Sequence, residues 1–274
     1  IQTKFCIPHL TPDIVSRQRL LSLLDKSMEV PLTLVSAPAG YGKSVLVGQW
    51  LDQQPHKTIW LSLDAGDSDL RQFVYYLVED IIREFPDSCA ELRELINVPE
   101  SPPVTVLANH LLNELHAIGK PCLIAFDDYH LLNQSSQVHT LFEILLQHPL
   151  EHVHIILITR RDPSLSLTRL RALNRMLDIR MQDLRFTRPE ISDMLSSSTG
   201  YAASDEALTH LHQEIEGWAV GLRLISLVLR QIPNPDEFLL SLHGGIPQIQ
   251  EYLVNEVLAG LPDVQRDYVL KTSM

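Results

Sequence analysis

The sequence predicts an α/β fold: a parallel, doubly wound sheet of five strands, followed by a smaller all-helical region. Three observations carry this. Apolar, partly β-branched runs alternate with amphipathic helical patterns as far as residue 186. The first of these runs breaks into a glycine-rich turn that opens a helix. From Thr187 onward the pattern is helical throughout.

Composition sets the outer bounds. Of 274 residues, 45% are hydrophobic and 20% charged, which is ample material for a soluble core. With 22 basic and 34 acidic residues the net charge is −12, so the chain lacks the electrostatic footprint of a nucleic-acid-binding domain. No specific DNA binding by this stretch is expected. Cys6, Cys89 and Cys122 are odd in number and far apart. They suit neither a disulfide framework nor a zinc-spaced pair, and a reducing cytoplasm is the expected compartment. No secretory signal and no run of ~18 uninterrupted apolar residues is visible, so no membrane partner is expected. Ile1 is not an initiator methionine and Lys271–Met274 ends in mid-pattern, which reads as a fragment of a longer polypeptide.

Taken in order, residues 1–12 are irregular, and Asp13 opens an amphipathic helix with Ile14, Leu20, Leu21 and Leu24 at helical spacing. Arg17 sits near its start, where position alone favours a solvated helix charge over a ligand contact. Leu32–Leu46 then reads LTLVSAPAGYGKSVL: strand, small-residue turn, helix. That is the context a G-x-x-x-x-G-K-[ST] phosphate loop requires. Gly40 and Gly42 let the backbone curl so that several N–H groups face phosphate oxygens, Lys43 reaches the β- and γ-phosphates, and the Ser44 hydroxyl suits Mg²⁺. The helix that follows adds its positive end. The pattern departs at its first glycine, which is Ala37 here. The nucleotide contacts are assigned to Ala39, Gly40, Tyr41, Gly42, Lys43, Ser44 and Val45.

Ser44–Gln53 reads as the helix after the loop, and Lys57–Leu63 as the second strand. Asp64–Asp69 has an acidic spacing faintly like a calcium loop, but it lacks the distal glutamate and the glycine position of one. It reads better as a loop whose Asp69 caps a helix over Leu70–Phe85. Glu91–Pro103 is a polar, proline-studded connection, and Val104–Ile118 a helix stopped by Gly119.

Pro121–Asp128 holds five consecutive apolar residues ending in two carboxylates, a buried parallel strand that delivers acids to the edge where open α/β sheets bind ligands. Asp127 is assigned to Mg²⁺ and Asp128 to the attacking water. Asn133–His148 is a helix and Glu151–Thr159 the fourth strand. His152 and His154 alternate on one face of it; lacking a third ligand nearby, they read as structural histidines rather than a metal site. Arg160, with Arg161 behind it, stands at that strand's tip and is placed to sense a γ-phosphate. Leu165–Leu173 is helical, and Met176–Met181 supplies the last strand. Thr187-Arg-Pro-Glu190 carries a cap, a first-turn proline and an acid at the third helical position. Helices over Glu190–Ser198, Ser204–Ile215, Ala219–Leu229, Pro235–Leu242 and Pro247–Leu258 follow, with another starting at Val264.

The set SAPAGYGKS (Ser36–Ser44), WLSLDAGDSD (Trp60–Asp69), LIAFDDYHLL (Leu123–Leu132), LITRRDP (Leu157–Pro163), LRFTRPE (Leu184–Glu190) and GWAVGL (Gly217–Leu222) resembles the large ATP-binding regulators of the LuxR family. These belong to the signal-transduction ATPases with numerous domains. The tail EYLVNEVLAGLP fits as well. The resemblance implies a nucleotide-binding domain over 1–186, a helical domain over 187–242 and the start of a winged-helix unit over 243–274. It implies ATP or ADP with Mg²⁺ as ligands and a slow regulatory ATPase at most. It further implies self-association of the full-length protein when ATP and an inducer are bound, and DNA binding by a part outside this chain. It moves Arg17 to the side of the nucleotide and makes Ala37 a family feature. Gly217-Trp218-Ala219 corresponds to a G-x-P element whose proline packs near adenine; Ala219 lacks that ring. The alternative is a free-standing AAA-like NTPase motor, and a further one an interaction module with a vestigial site.

Overall fold

The computed structural model describes residues 2–8 and 15–242. Helix α1 (Gln18–Leu24) precedes β1 (Leu32–Ser36), and α2 (Lys43–Asp52) leads to β2 (Lys57–Ser62). Next come α3 (Leu70–Glu84), α4 (Ala90–Ile96) and α5 (Val104–Ile118). After β3 (Cys122–Asp127) the chain runs through α6 (Gln137–Gln147), β4 (Val153–Thr159), α7 (Leu167–Ala172) and β5 (Met176–Arg180). Helices α8 (Met181–Leu184), α9 (Arg188–Thr199), α10 (Asp205–Ile215), α11 (Ala219–Leu229) and α12 (Pro235–Leu240) follow among the described residues.

The five strands form one sheet in the order β2-β3-β4-β1-β5, parallel at every pairing, as the sequence predicts. Parallel neighbours require crossover connections, and the intervening helices supply them. β1, β3 and β4 are buried at every residue, which is why they read as continuous apolar runs rather than alternating ones. β5, at an edge, is mostly half-buried.

The order has a consequence for chemistry. β4 lies between β1 and β3, so the carboxyl ends of these three strands are neighbours, with Ser36 opposite Thr159 and Phe126 opposite Leu157. An aromatic cluster anchors the β3 end. Phe126 packs 4.9 Å from Phe142 and 5.6 Å from Phe73, and Tyr129 lies 5.2 Å from Phe142. Rings at such spacings add about 0.5–1.5 kcal/mol per pair beyond area burial. Residues 127 and 128 therefore sit between two anchored aromatic side chains.

The chain forms two compact units. The first comprises residues 2–8, Gln18–Pro38 and Lys43–Asp183; the described part of the second comprises 15–17, Ala39–Gly42 and 184–242. The second unit has its own core of Phe186, Ile191, Leu195, Leu211, Leu222 and Ile225. Thr187 and Glu190 form the reciprocal capping box at the start of α9, and Ser204 caps α10.

Three local expectations change. Part of the Glu91–Pro103 connection is helix: α4 buries Leu92 and Ile96 although most of its surface is polar, a two-residue stripe too thin to show as periodicity. Of the helix expected from Asp13, residues 13 and 14 lie outside the described residues, 15–17 are not helical, and α1 begins at Gln18. The helix expected from Asn133 begins at Gln137, where the Ser136 hydroxyl accepts from Val138 N at 3.1 Å. The helices expected over Pro247–Leu258 and from Val264, and with them the winged-helix start over 243–274, lie outside the described residues.

Candidate functional site

In the first unit, Lys43 opens α2 and is buried. Its ammonium donates to the Pro38 carbonyl at 3.0 Å, one of the three hydrogen bonds it can give. Burial, then the charge of Arg160, lowers its pKa to about 8; Asp127 and Asp128 pull the other way. Ser44 Oγ donates to Asp127 Oδ1 at 2.9 Å. The same carboxylate oxygen accepts from the Asp128 amide, also at 2.9 Å. Burial and the neighbouring Asp128 raise Asp127 to about 6, so it is largely ionised at neutral pH.

Asp128 takes a left-handed backbone, φ 55° and ψ 34°, that turns the chain away from the sheet directly after β3. Aspartate is one of the few non-glycine residues that enter this region readily, and here it lies between the anchored Phe126 and Tyr129. Beyond β4, Thr159 Oγ1 donates to Arg161 O at 2.7 Å and shapes the turn that carries Arg160 and Arg161. Arg160 is exposed. Its charge lowers the pKa of Lys43 and of His130, which places it in the field of the same strand-end cluster. Arg161 donates to His130 O at 3.3 Å.

His130 is a group the sequence reasoning passed over. Its Nδ1 is buried without a hydrogen-bond partner and lies 3.8 Å from Asp128 Oδ1. Burial pulls its pKa down to about 4, so the ring is neutral at pH 7. The only signal in the sequence was its place two residues after the paired acids. The other flagged histidines are occupied by backbone: His152 Nε2 meets Leu115 O at 2.9 Å and His154 Nδ1 meets Val30 O at 3.0 Å.

The second unit holds the apex of the loop. Gly40 and Gly42 have φ of 82° and 74°, which only glycine adopts without strain. Trp218 Nε1 donates to Ala39 O at 3.2 Å, and Val220 N donates to Gly40 O at 3.0 Å. A Cβ on Gly40 would stand 2.5 Å from Trp218 Nε1. Tyr41 and Val45 are half-buried. Arg17 is buried in this unit. It donates to Leu184 O and Arg185 O, both at 2.8 Å, pairs with Glu190 Oε2 at 3.1 Å, and lies 4.0 Å from the Phe186 ring centre.

These residues fit a magnesium nucleotide chemically. Ser44 and Asp127 offer two hard oxygens 2.9 Å apart. A hydroxyl and a carboxylate are the oxygen donors that Mg²⁺ takes. The buried ammonium of Lys43, in the same unit, adds a donor suited to phosphate.

No model of a known protein family matches the chain. The HTH-type transcriptional regulator MalT of Klebsiella pneumoniae is 29% identical over 276 aligned residues, covering 100% of this chain and 30% of that protein. Among solved structures, a signal transduction ATPase with numerous domains and a tetratricopeptide repeat sensor from Pyrococcus horikoshii superposes with a TM-score of 0.64. It is 17% identical and covers 93% of this chain and 34% of its own. A Walker-type ATPase of Pyrococcus abyssi gives a TM-score of 0.57 at 15% identity, covering 93% of this chain and 79% of its own. The chain thus spans about three tenths of the length of the curated relatives it matches. The resemblance read from the motifs holds along the whole chain: it is MalT-like, with the fold of phosphate-loop ATPases.

Proposed function

We propose that this MalT-like chain is the nucleotide-reading switch module of a larger, cytoplasmic transcription activator, with ATP or ADP and Mg²⁺ as its ligands. The observation that carries this is the meeting of Ser44 with Asp127 at 2.9 Å beside the buried Lys43. Lys43, the loop amides of Ala39–Val45 and the positive end of α2 bind the phosphates. Ser44 and Asp127 would hold Mg²⁺, which when bound would neutralise phosphate charge and polarise the transferring group. Asp128 orients the attacking water, and Arg160 senses the γ-phosphate from the turn after β4. Arg17, buried against the backbone that leads into α9, is proposed to lie beside the nucleotide.

The proposed division is a nucleotide-binding domain over 1–186, a helical domain over 187–242 and the start of a winged-helix unit over 243–274. Specific DNA binding is assigned to a part of the protein outside this chain, consistent with the net charge of −12. The switch responds to two signals. Moving an equilibrium from 1:99 to 99:1 needs about 5.5 kcal/mol of differential binding, more than one set of γ-phosphate contacts supplies. An inducer contributes the rest, self-association follows, and slow hydrolysis resets the resting state.

The reading is tested by denaturing the purified chain, identifying the released nucleotide, and then measuring turnover with added ATP. Bound ADP or ATP with turnover below about 1 s⁻¹ supports the switch. Sustained turnover well above that rate supports a motor. A chain that neither retains nor takes up nucleotide defeats both.

A further inference from the structure

The phosphate loop carries a hydrogen-bond constraint that its own motif does not encode. Two successive carbonyls at its apex are occupied: Ala39 O by the Trp218 indole at 3.2 Å, and Gly40 O by the Val220 amide at 3.0 Å. A peptide group is planar and trans, so its C=O and N–H point in opposite directions. Fixing the Ala39 carbonyl therefore fixes the Gly40 N–H, and fixing the Gly40 carbonyl fixes the Tyr41 N–H. Both N–H groups face away from the Trp218–Val220 segment.

The clamp is close and specific. Gly40 accommodates the indole only because it has no side chain, since a Cβ there would lie 2.5 Å from Nε1 and 2.9 Å from Cε2. Gly221 presses on the opposite end of the ring, where a Cβ would lie 2.7 Å from Cε3. Gly217, at φ 70°, has room for no Cβ either: Phe186 N and O would both lie at 2.6 Å. Gly40 and Gly221 thus make room for the two sides of the indole, whose N–H donates to Ala39 O, while Gly217 lets the preceding backbone pass against Phe186. Val220 lies in the first turn of α11, where an amide has no partner within the helix and is available for Gly40.

We propose that Trp218 is a positioning residue for phosphate binding, acting through its indole N–H to hold the Gly40 and Tyr41 amides toward the phosphates. This rests on the nucleotide-binding reading given above. It assigns the G-W-A-V-G-L segment a role different from stacking beside adenine: it presets the backbone donors of the loop. Preset donors raise affinity because the loop is not ordered at the expense of binding.

The test compares Mg-ADP binding by the wild-type chain with Trp218→Phe and Trp218→His at pH 8, alongside melting of each ligand-free protein. Phenylalanine keeps an aromatic ring and loses the donor. Histidine is smaller but carries Nε2–H two bonds from Cγ, the same place in its ring as the indole N–H. The expected result is a five- to tenfold rise in Kd for Phe, about one hydrogen bond's worth, and recovery toward wild type in His. The larger Phe ring keeps more of the packing, so a purely structural role orders the variants the other way. Phe binding ADP like wild type, or His binding worse than Phe, overturns the proposal. If Trp218→Phe fails to fold, wild type against Trp218→His decides it: His within about threefold supports the donor role, and a loss beyond tenfold with a normal melting curve overturns it. A wild-type chain that does not bind Mg-ADP removes the nucleotide reading itself, whereas binding by wild type and indifference to these changes removes only the clamp.

Discussion

Ser44 Oγ lies 2.9 Å from Asp127 Oδ1, although 83 positions separate the two residues in the chain. Replacing the hydroxyl tests what the pair is for. In Ser44→Ala, Mg²⁺ should no longer strengthen ATP binding, whereas wild type should bind at least tenfold more tightly with Mg²⁺ than with chelator. Titrations of a fluorescent nucleotide with and without Mg²⁺ read this directly. An undiminished Mg²⁺ effect in the variant would mean that the hydroxyl is not a ligand.

Asp128 is half-buried on the turn after β3 in a left-handed conformation, with its carboxylate 3.8 Å from His130 Nδ1. Asp128→Asn keeps the shape and removes the base. Single-turnover hydrolysis should fall by about 10²–10⁴-fold, the usual scale for a lost general base. ATP affinity should stay within a few-fold. Equal loss of both would move Asp128 from the water to the nucleotide.

Arg17 separates a structural from a ligand role. Its guanidinium satisfies the Leu184 and Arg185 carbonyls and pairs with Glu190, with a side chain only 7% exposed. Removing one partner of such a buried pair costs about 3–5 kcal/mol. Arg17→Met should therefore lower the denaturation midpoint of the second unit. If it instead leaves stability intact and weakens ADP binding, Arg17 acts on the nucleotide alone.

Asp80 in α3 gives a pH signature away from the site. It is 4% exposed and accepts from Trp60 N at 3.2 Å. Burial raises its pKa to about 7 from an ordinary value of 3.8. A raised folded-state pKa favours the protonated native form, so this contribution is fully present below about pH 4 and is lost as pH rises through about 7. Asp80→Asn should flatten that slope. Relative to wild type it should gain on the order of 2 kcal/mol between pH 4 and pH 8 in urea titrations. A parallel pH dependence for the two proteins would show that Asp80 is ionised in the native state.

Much of this was legible in the chain. Strands buried on both faces leave uninterrupted apolar runs, and β1, β3 and β4 announce themselves that way. Gly42-Lys43-Ser44 and Asp127-Asp128 were visible because each is a local pattern next to a strand. The hidden parts depend on distance in sequence. Arg17 meets partners more than 160 positions away, and Trp218 meets Ala39 across 179. No local periodicity records either contact. α4 was missed for another reason: with two buried residues it has too little apolar face to register as a helix.

The central claim is that the loop from Ala39 to Val45 binds an adenine nucleotide. Equilibrium titration of nucleotide-stripped wild type and Lys43→Ala with Mg-ADP tests it most directly. Lys43 is buried at the first position of α2 with its ammonium bonded to Pro38 O, so its removal takes a positive charge from the loop. Wild type should bind, and Lys43→Ala should bind at least a hundredfold more weakly while melting normally. Equal binding by the two proteins, or binding by neither, would contradict it.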